Sequence, residues 1–226
     1  MKKFFVAAMA AVMMFSAAAC TKVNKEFKKT TDNLTSAVKS VCDASKASSY
    51  QIKAFKDGTV TSKPATFTEG AYYTCEKKDV KVSDLGSKVI EPGQMTDIYM
   101  FCKCDQNTEA TSTFVAQVVA LKNEELAGKY FEEVVADMSD GITEDTLKQY
   151  AVELEGQYAF VNDENECVLA LVVDAMDVAS ITYVKLEGTQ VIEIVYDGTS
   201  SSTLLSEFYD VMNEMNYADV KASLHS

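Results

Sequence analysis

The chain has 226 residues, 47% of them hydrophobic and 24% charged, a balance that excludes a disordered tail, a collagen-like repeat and a multi-pass membrane protein. All 21 of its basic residues are lysine, against 34 Asp and Glu, for a formal net charge of −13. A chain of this sign is repelled by phosphate backbones, and without arginine it makes no bidentate contact to phosphate or guanine, so nucleic acid is set aside as a partner.

Residues 1–19 read as an export signal. Lys2 and Lys3 form a positive start, an apolar run follows from Phe4 to Phe15, and Ser16-Ala17-Ala18-Ala19 supplies small residues for cleavage. The apolar run is shorter than the roughly 20 residues a spanning helix needs, so a removable signal is the better reading. Cys20 follows directly, and a cysteine after a small-residue triplet resembles the lipobox of bacterial lipoproteins. That resemblance covers residues 1–20 and implies cleavage before Cys20 and acylation of its sulfur. It also implies anchoring on the outer face of a bacterial cell membrane, with residues 20–26 as lipid-bearing cysteine and tether. Cleavage that left Cys20 unmodified would instead give a secreted protein.

Charge is unevenly spread. Residues 20–110 hold 14 Lys and 12 acids, whereas residues 111–226 hold 5 Lys and 22 acids. The near-neutral half, opening with Lys22, Lys25, Lys28 and Lys29, suits a segment lying against an anionic membrane, although a solvated helix face would look the same. The acidic half points to a cationic envelope protein or peptide as partner. Absence of arginine fits an AT-rich genome and a low-GC Gram-positive source.

Taken in chain order, residues 24–46 show apolar positions at helical spacing, Phe27, Leu34, Val38, Val41 and Cys42, and predict an amphipathic helix. Residues 50–55 alternate with period two up to Asp57-Gly58, a hairpin signal. Strands are predicted at 71–77, 97–104 and 113–121. The period then changes: Leu126, Tyr130, Phe131, Val134 and Met138 form a helical stripe behind Asn123 as N-cap, and Thr143 caps a second helix stapled by Ile142 and Leu147. Strands at 158–161, 167–173, 180–186 and 190–196 and a helix over 202–215 complete the chain.

Tyr130-Phe131-Glu132-Glu133-Val134 matches Glu207-Phe208-Tyr209-Asp210-Val211 at an offset of 77 residues, which suggests a helix-plus-four-strand unit used twice. The expected class is α+β, antiparallel sheet with helices packed on one face. Its halves are 27–121 and the acidic 122–226, or one continuous domain over 27–226. The stretch 113–174, strand then helix then hairpin, loosely resembles uncharacterised lipoproteins of low-GC Gram-positive bacteria, a family that brings no activity with it.

Candidates for chemistry are few. Cys102 and Cys104 share a face of one predicted strand and Cys75 lies on its neighbour, which makes a disulfide among Cys75, Cys102 and Cys104 the candidate in an oxidising compartment. Cys42 and Cys167 read as buried small hydrophobes. The one histidine, His225, leaves no tetrahedral metal set, and no metal or other cofactor is expected. Ser36 and Lys39 spell Ser-x-x-Lys without the companion motifs of penicillin-binding proteins, so a solvated helix face is favoured.

Asp163, Glu164 and Glu166 bunch oxygens between two strands, either a polar hairpin turn or a weak Ca²⁺ site. The loop 197–202 could hold an anion at a helix start or merely cap it. Tyr72 and Tyr73 could line a binding face, though absence of Trp weakens a sugar platform. No catalytic residue is assigned. The functional expectation is a non-catalytic binding or scaffolding lipoprotein. The alternatives are a small-solute-binding lipoprotein, which would want a deep pocket between lobes, and an envelope hydrolase, which would want two facing carboxyls of raised pKa in a cleft.

Overall fold

The computed structural model describes residues 25–41, 72–76, 82–106 and 111–226. The export signal, Cys20, Cys42 and the hairpin expected around Asp57-Gly58 lie outside the described residues. In chain order the elements are α1 (Lys25–Val41), β1 (Tyr72–Glu76), a 3₁₀ turn (Val82–Leu85), β2 (Met95–Gln106), β3 (Thr111–Leu121), α2 (Glu124–Ser139) and α3 (Glu144–Glu153). After them come β4 (Gln157–Asn162), β5 (Glu166–Val173), a second 3₁₀ turn (Asp174–Met176), β6 (Val178–Glu187), β7 (Gln190–Gly198) and α4 (Thr203–Glu214).

Period-two alternation drives the strands into one seven-stranded sheet of order β1-β2-β3-β7-β6-β5-β4, with every pairing antiparallel. The α+β antiparallel class expected from the pattern is therefore what forms. The two sequence halves are two meanders joined along β3 and β7, where Val115 faces Val195 and Val119 faces Val191. Gly198 lets β7 end tight against β3, since a Cβ there would stand 2.5 Å from Ser112 Cα. At the far edge Tyr158 and His225 exchange backbone hydrogen bonds of 2.8 and 2.7 Å, which covers part of β4.

The helices lie on both faces of the sheet, not on one as the sequence suggested. On the first face α1 contributes buried Leu34, Ala37 and Val38, and α4 contributes Leu204, Leu205, Phe208, Val211 and Met212. Both pack on Phe101, Phe114, Ile181, Ile192, Ile194 and Tyr196. On the second face α2 covers Met100, Cys102, Val119 and Val191 through Ala127, Tyr130 and Phe131. There α3 covers Tyr158 through Leu147 and Ala151. The physical reason is that the inner strands are apolar on both sides, and alternate residues of such strands need a cover on each face.

This arrangement also separates the two sequence segments that match at an offset of 77. A rotation that superposes β3 on its antiparallel neighbour β7 keeps each face of the sheet, yet Phe131 of α2 and Phe208 of α4 pack on opposite faces. The matched segments are therefore not symmetry-related helices.

Candidate functional site

The first face is closed, while the second holds a cavity of about 720 Å³ between the sheet and the pair α2 and α3. Its floor is built by β6 and its neighbours. Small Ser180 and Thr182 on β6 make a hollow, Leu169 and Leu171 of β5 border one side, and Gln117 of β3 with Glu193, Val195 and Asp197 of β7 border the other. Tyr130, Glu133, Val134 and Met138 of α2 and Leu147 and Tyr150 of α3 form the roof. Tyr150, 37% exposed, and Met176, 50% exposed, stand at the rim.

The roof helices are placed by local chemistry. The Asn123 side chain accepts from Leu126 N at 2.9 Å and starts α2, with Glu124 and Glu125 in its first turn. Thr143 accepts from Thr146 N at 3.2 Å and starts α3. Glu133 then binds the preceding loop to α2, accepting from the Ser87 hydroxyl and from Lys88 N at 2.6 Å.

The polar groups of the cavity converge on one spot. Gln117 is 4% exposed; its amide nitrogen stands 3.5 Å from a Glu193 carboxylate oxygen, and its amide oxygen is buried with no hydrogen-bond partner. Tyr130 is hydrogen-bonded to Gln117, and burial together with the charges of Glu193 and Glu133 holds its phenol far above the ordinary value. Burial pushes the Glu193 carboxyl up to about 7, because partial desolvation disfavours the ionised carboxylate. Burial raises Asp197 to about 6, partly offset by a hydrogen bond with Ser180.

These two carboxyls meet only half of the requirement set for a hydrolase. They lie four residues apart on β7 with Val195 between them, about 13 Å at the rise of a strand, beyond the roughly 5–9.5 Å that separates cooperating carboxyl pairs in glycoside hydrolysis.

The residues singled out from the sequence lie elsewhere. Across β1 and β2, Cys75 stands opposite Met100, and Cys102 opposite Tyr73, so neither cysteine faces another across this pairing. Cys102 is buried under α2. Cys167 is buried on the same side, with its thiol pushed up to about 11 by burial, and is an inert core group as expected. Asp163, Glu164 and Glu166 form the polar turn from β4 to β5, where Asp163 N donates to the Glu166 carbonyl at 2.8 Å. The Glu166 carboxylate is taken by the Tyr183 hydroxyl at 2.6 Å. Among the described residues no group of three or more His, Cys, Asp or Glu is placed to hold a metal ion.

The loop after β7 is a cap and not an anion site. Ser202 accepts from Leu204 N at 3.1 Å, and Ser201 N donates to the Asp177 carboxylate at 2.8 Å, so the protein's own carboxylate occupies that position. Ser36 returns its hydroxyl to the Asp32 carbonyl at 2.8 Å on the exposed side of α1, as a solvated face would.

Gln117, Tyr130 and Glu193 were not read as a site from the sequence, although one signal was present. Glu193 interrupts the apolar run Val191-Ile192-Glu193-Ile194-Val195, and a carboxylate inside a central strand is rarely tolerated without a purpose.

No family model matches the chain. No curated protein matches its sequence. Among solved structures, the extracellular domain of PknH from Mycobacterium tuberculosis is similar with a TM-score of 0.35 and 9% identity, over 54% of this chain and 66% of that one. The likeness spans just under two thirds of that domain and says nothing of function.

Proposed function

We propose that this protein is an exported bacterial lipoprotein, held on the outer face of the cell membrane by acylated Cys20, whose domain binds a small molecule without chemistry. The observation that carries the binding half is the cavity of about 720 Å³ under α2 and α3, apolar over most of its lining and with Gln117, Tyr130 and Glu193 converging in its depth. Pockets of about 300–1,000 Å³ with this division of apolar wall and few polar groups are where small ligands bind. The pocket lies within one sheet-and-helix layer, so it needs no second lobe, and a chain of this length is long enough to build it.

The anchor half rests on residues 1–20. A diacylglyceryl group supplies the two chains that stable anchoring needs. The acidic half keeps a cationic envelope protein or peptide as a protein partner, a pairing that high salt would weaken. A carboxylate hydrolase is favoured by the raised Glu193 and Asp197 groups and disfavoured by their spacing along one strand.

Two measurements test the reading. The intact mass of the protein from its producing cell should carry a diacylglyceryl adduct on Cys20, and Cys20→Ala should move the protein from the membrane fraction to the medium. Native mass spectrometry should find a non-covalent small molecule that Thr182→Phe, which fills the hollow, displaces. A wild-type protein with no bound small molecule and no response of any tested solute to Thr182→Phe would end the pocket reading.

A further inference from the structure

Five carboxylates line the cavity, Glu133, Asp137, Asp140, Glu193 and Asp197, and among the described lining residues there is no lysine or histidine. Their depths differ. Asp137 and Asp140 are exposed, at the mouth, whereas Glu193 lies at the floor beside the buried Gln117, whose amide oxygen has no partner. Glu133 is already satisfied by Ser87 and Lys88 N, but among the described residues no cation answers Glu193. Between mouth and floor the walls are apolar: Val134, Met138, Leu169, Leu171 and Val195.

We propose that the pocket's ligand is an organic cation, an amine or ammonium group carried on an apolar body, with the charged head at Glu193 and Gln117 and the body against the aliphatic walls. The inference rests on the small-molecule reading above and adds the ligand's chemical class. An anion finds no cationic side chain among the described lining residues, and a neutral body leaves the half-buried Glu193 carboxylate without a counter-charge whenever it is ionised. A cation satisfies that carboxylate and is drawn inward past the acidic mouth.

The same geometry couples binding to pH. The groups facing Glu193 are Tyr130 and Glu133 from α2 and Gln117 from β3, with Asp197 farther along β7, and none carries positive charge. With its carboxyl raised to about 7, Glu193 is protonated in acid and must lose that proton to pair with a cation. Affinity therefore rises with pH up to and through neutrality, approaching tenfold per unit on the acid side.

The test uses the exported protein and three probes that share one apolar body and form no micelles: 4-phenylbutylamine, 4-phenylbutanol and 4-phenylbutyrate. Binding is read by calorimetry at pH 6 and pH 8, for the wild type and for Glu193→Gln. The amine should bind at least tenfold more tightly than the alcohol at pH 8, the acid should bind most weakly, and the amine's advantage should shrink at pH 6 and vanish in Glu193→Gln. If the alcohol or the acid binds as tightly as the amine, the cation inference is overturned and the pocket reading stands. If an amine preference persists unchanged in Glu193→Gln, the assigned head-group site is overturned. If none of the three binds either protein, the inference and the pocket reading fall together.

Discussion

The two faces of the sheet are built by the same strands and have opposite characters. On β7, Ile192, Ile194 and Tyr196 point to the face under α1 and α4, where all three are fully buried. The residues between them, Glu193, Val195 and Asp197, point to the face under α2 and α3 and line a cavity. On β6 the contrast repeats, with Ala179, Ile181 and Tyr183 on the closed side and Ser180 and Thr182 on the open one. Large apolar side chains on one parity let two helices settle into contact with the sheet. On the other parity, small Ser180 and Thr182 leave a hollow under the roof helices, and Glu193 and Asp197 add charge to its lining. One face is filled with apolar packing, and the other leaves a cavity of about 720 Å³.

Substitutions sharpen that contrast. The largest effect is expected from Phe208→Ala on the closed face, where the ring is fully buried and meets Phe114 at 5.6 Å between centroids. Loss of its packing should cost about 3–5 kcal/mol in a denaturant melt. Leu171→Ala, on the cavity wall, should cost less, near the low end of about 2–5 kcal/mol, since its side chain already borders empty space. Equal costs at the two sites would mean that the faces are packed alike and the cavity is not open in solution.

Next in size is the effect of Glu193. Its carboxyl is raised from 4.5 to about 7 in the folded chain, so the stability contribution is fully present below about pH 4.5 and is lost as pH rises through 7. The loss amounts to at most about 3 kcal/mol. Glu193→Gln should therefore stabilise the protein at pH 8 and change little at pH 5, as read from melts at the two values. A stability difference that did not depend on pH would show that Glu193 is not desolvated and that the open face is wetter than its geometry implies.

The smallest effects belong to the helix starts. Asn123→Ala at α2 and Ser202→Ala at α4 should each cost about 1 kcal/mol. Only the first should also weaken ligand binding, because α2 roofs the cavity and α4 does not. Titration of both variants with the amine probe checks the distinction.

Most of the regular structure was legible because its signals are local. The N-caps Asn123 and Thr143 accept backbone N–H groups of their own first turns, and strands 113–121 and 190–196 announced themselves by composition alone. The Ile142 and Leu147 staple is likewise a contact between near neighbours. The face assignments were not legible, because apolar residues on both parities of a strand call for covers without saying which helix supplies which. The offset match of 130–134 with 207–211 misled for the same reason: two helices can share an apolar pattern and still pack on opposite sides.

By itself, then, the sequence determined an α+β chain, the order and rough ends of its described elements, and the acidity of its second half, since periodicity, caps and charge are properties of short segments. It also carried the export and acylation pattern of residues 1–20 as an expectation. Tertiary structure alone decided that two meanders join at β3 and β7, that helices cover both faces, and that Gln117, Tyr130 and Glu193 meet under α2. Gln117 and Glu193 are 76 positions apart in the chain, and only the register of antiparallel pairing sets them side by side on the face that α2 covers with Tyr130.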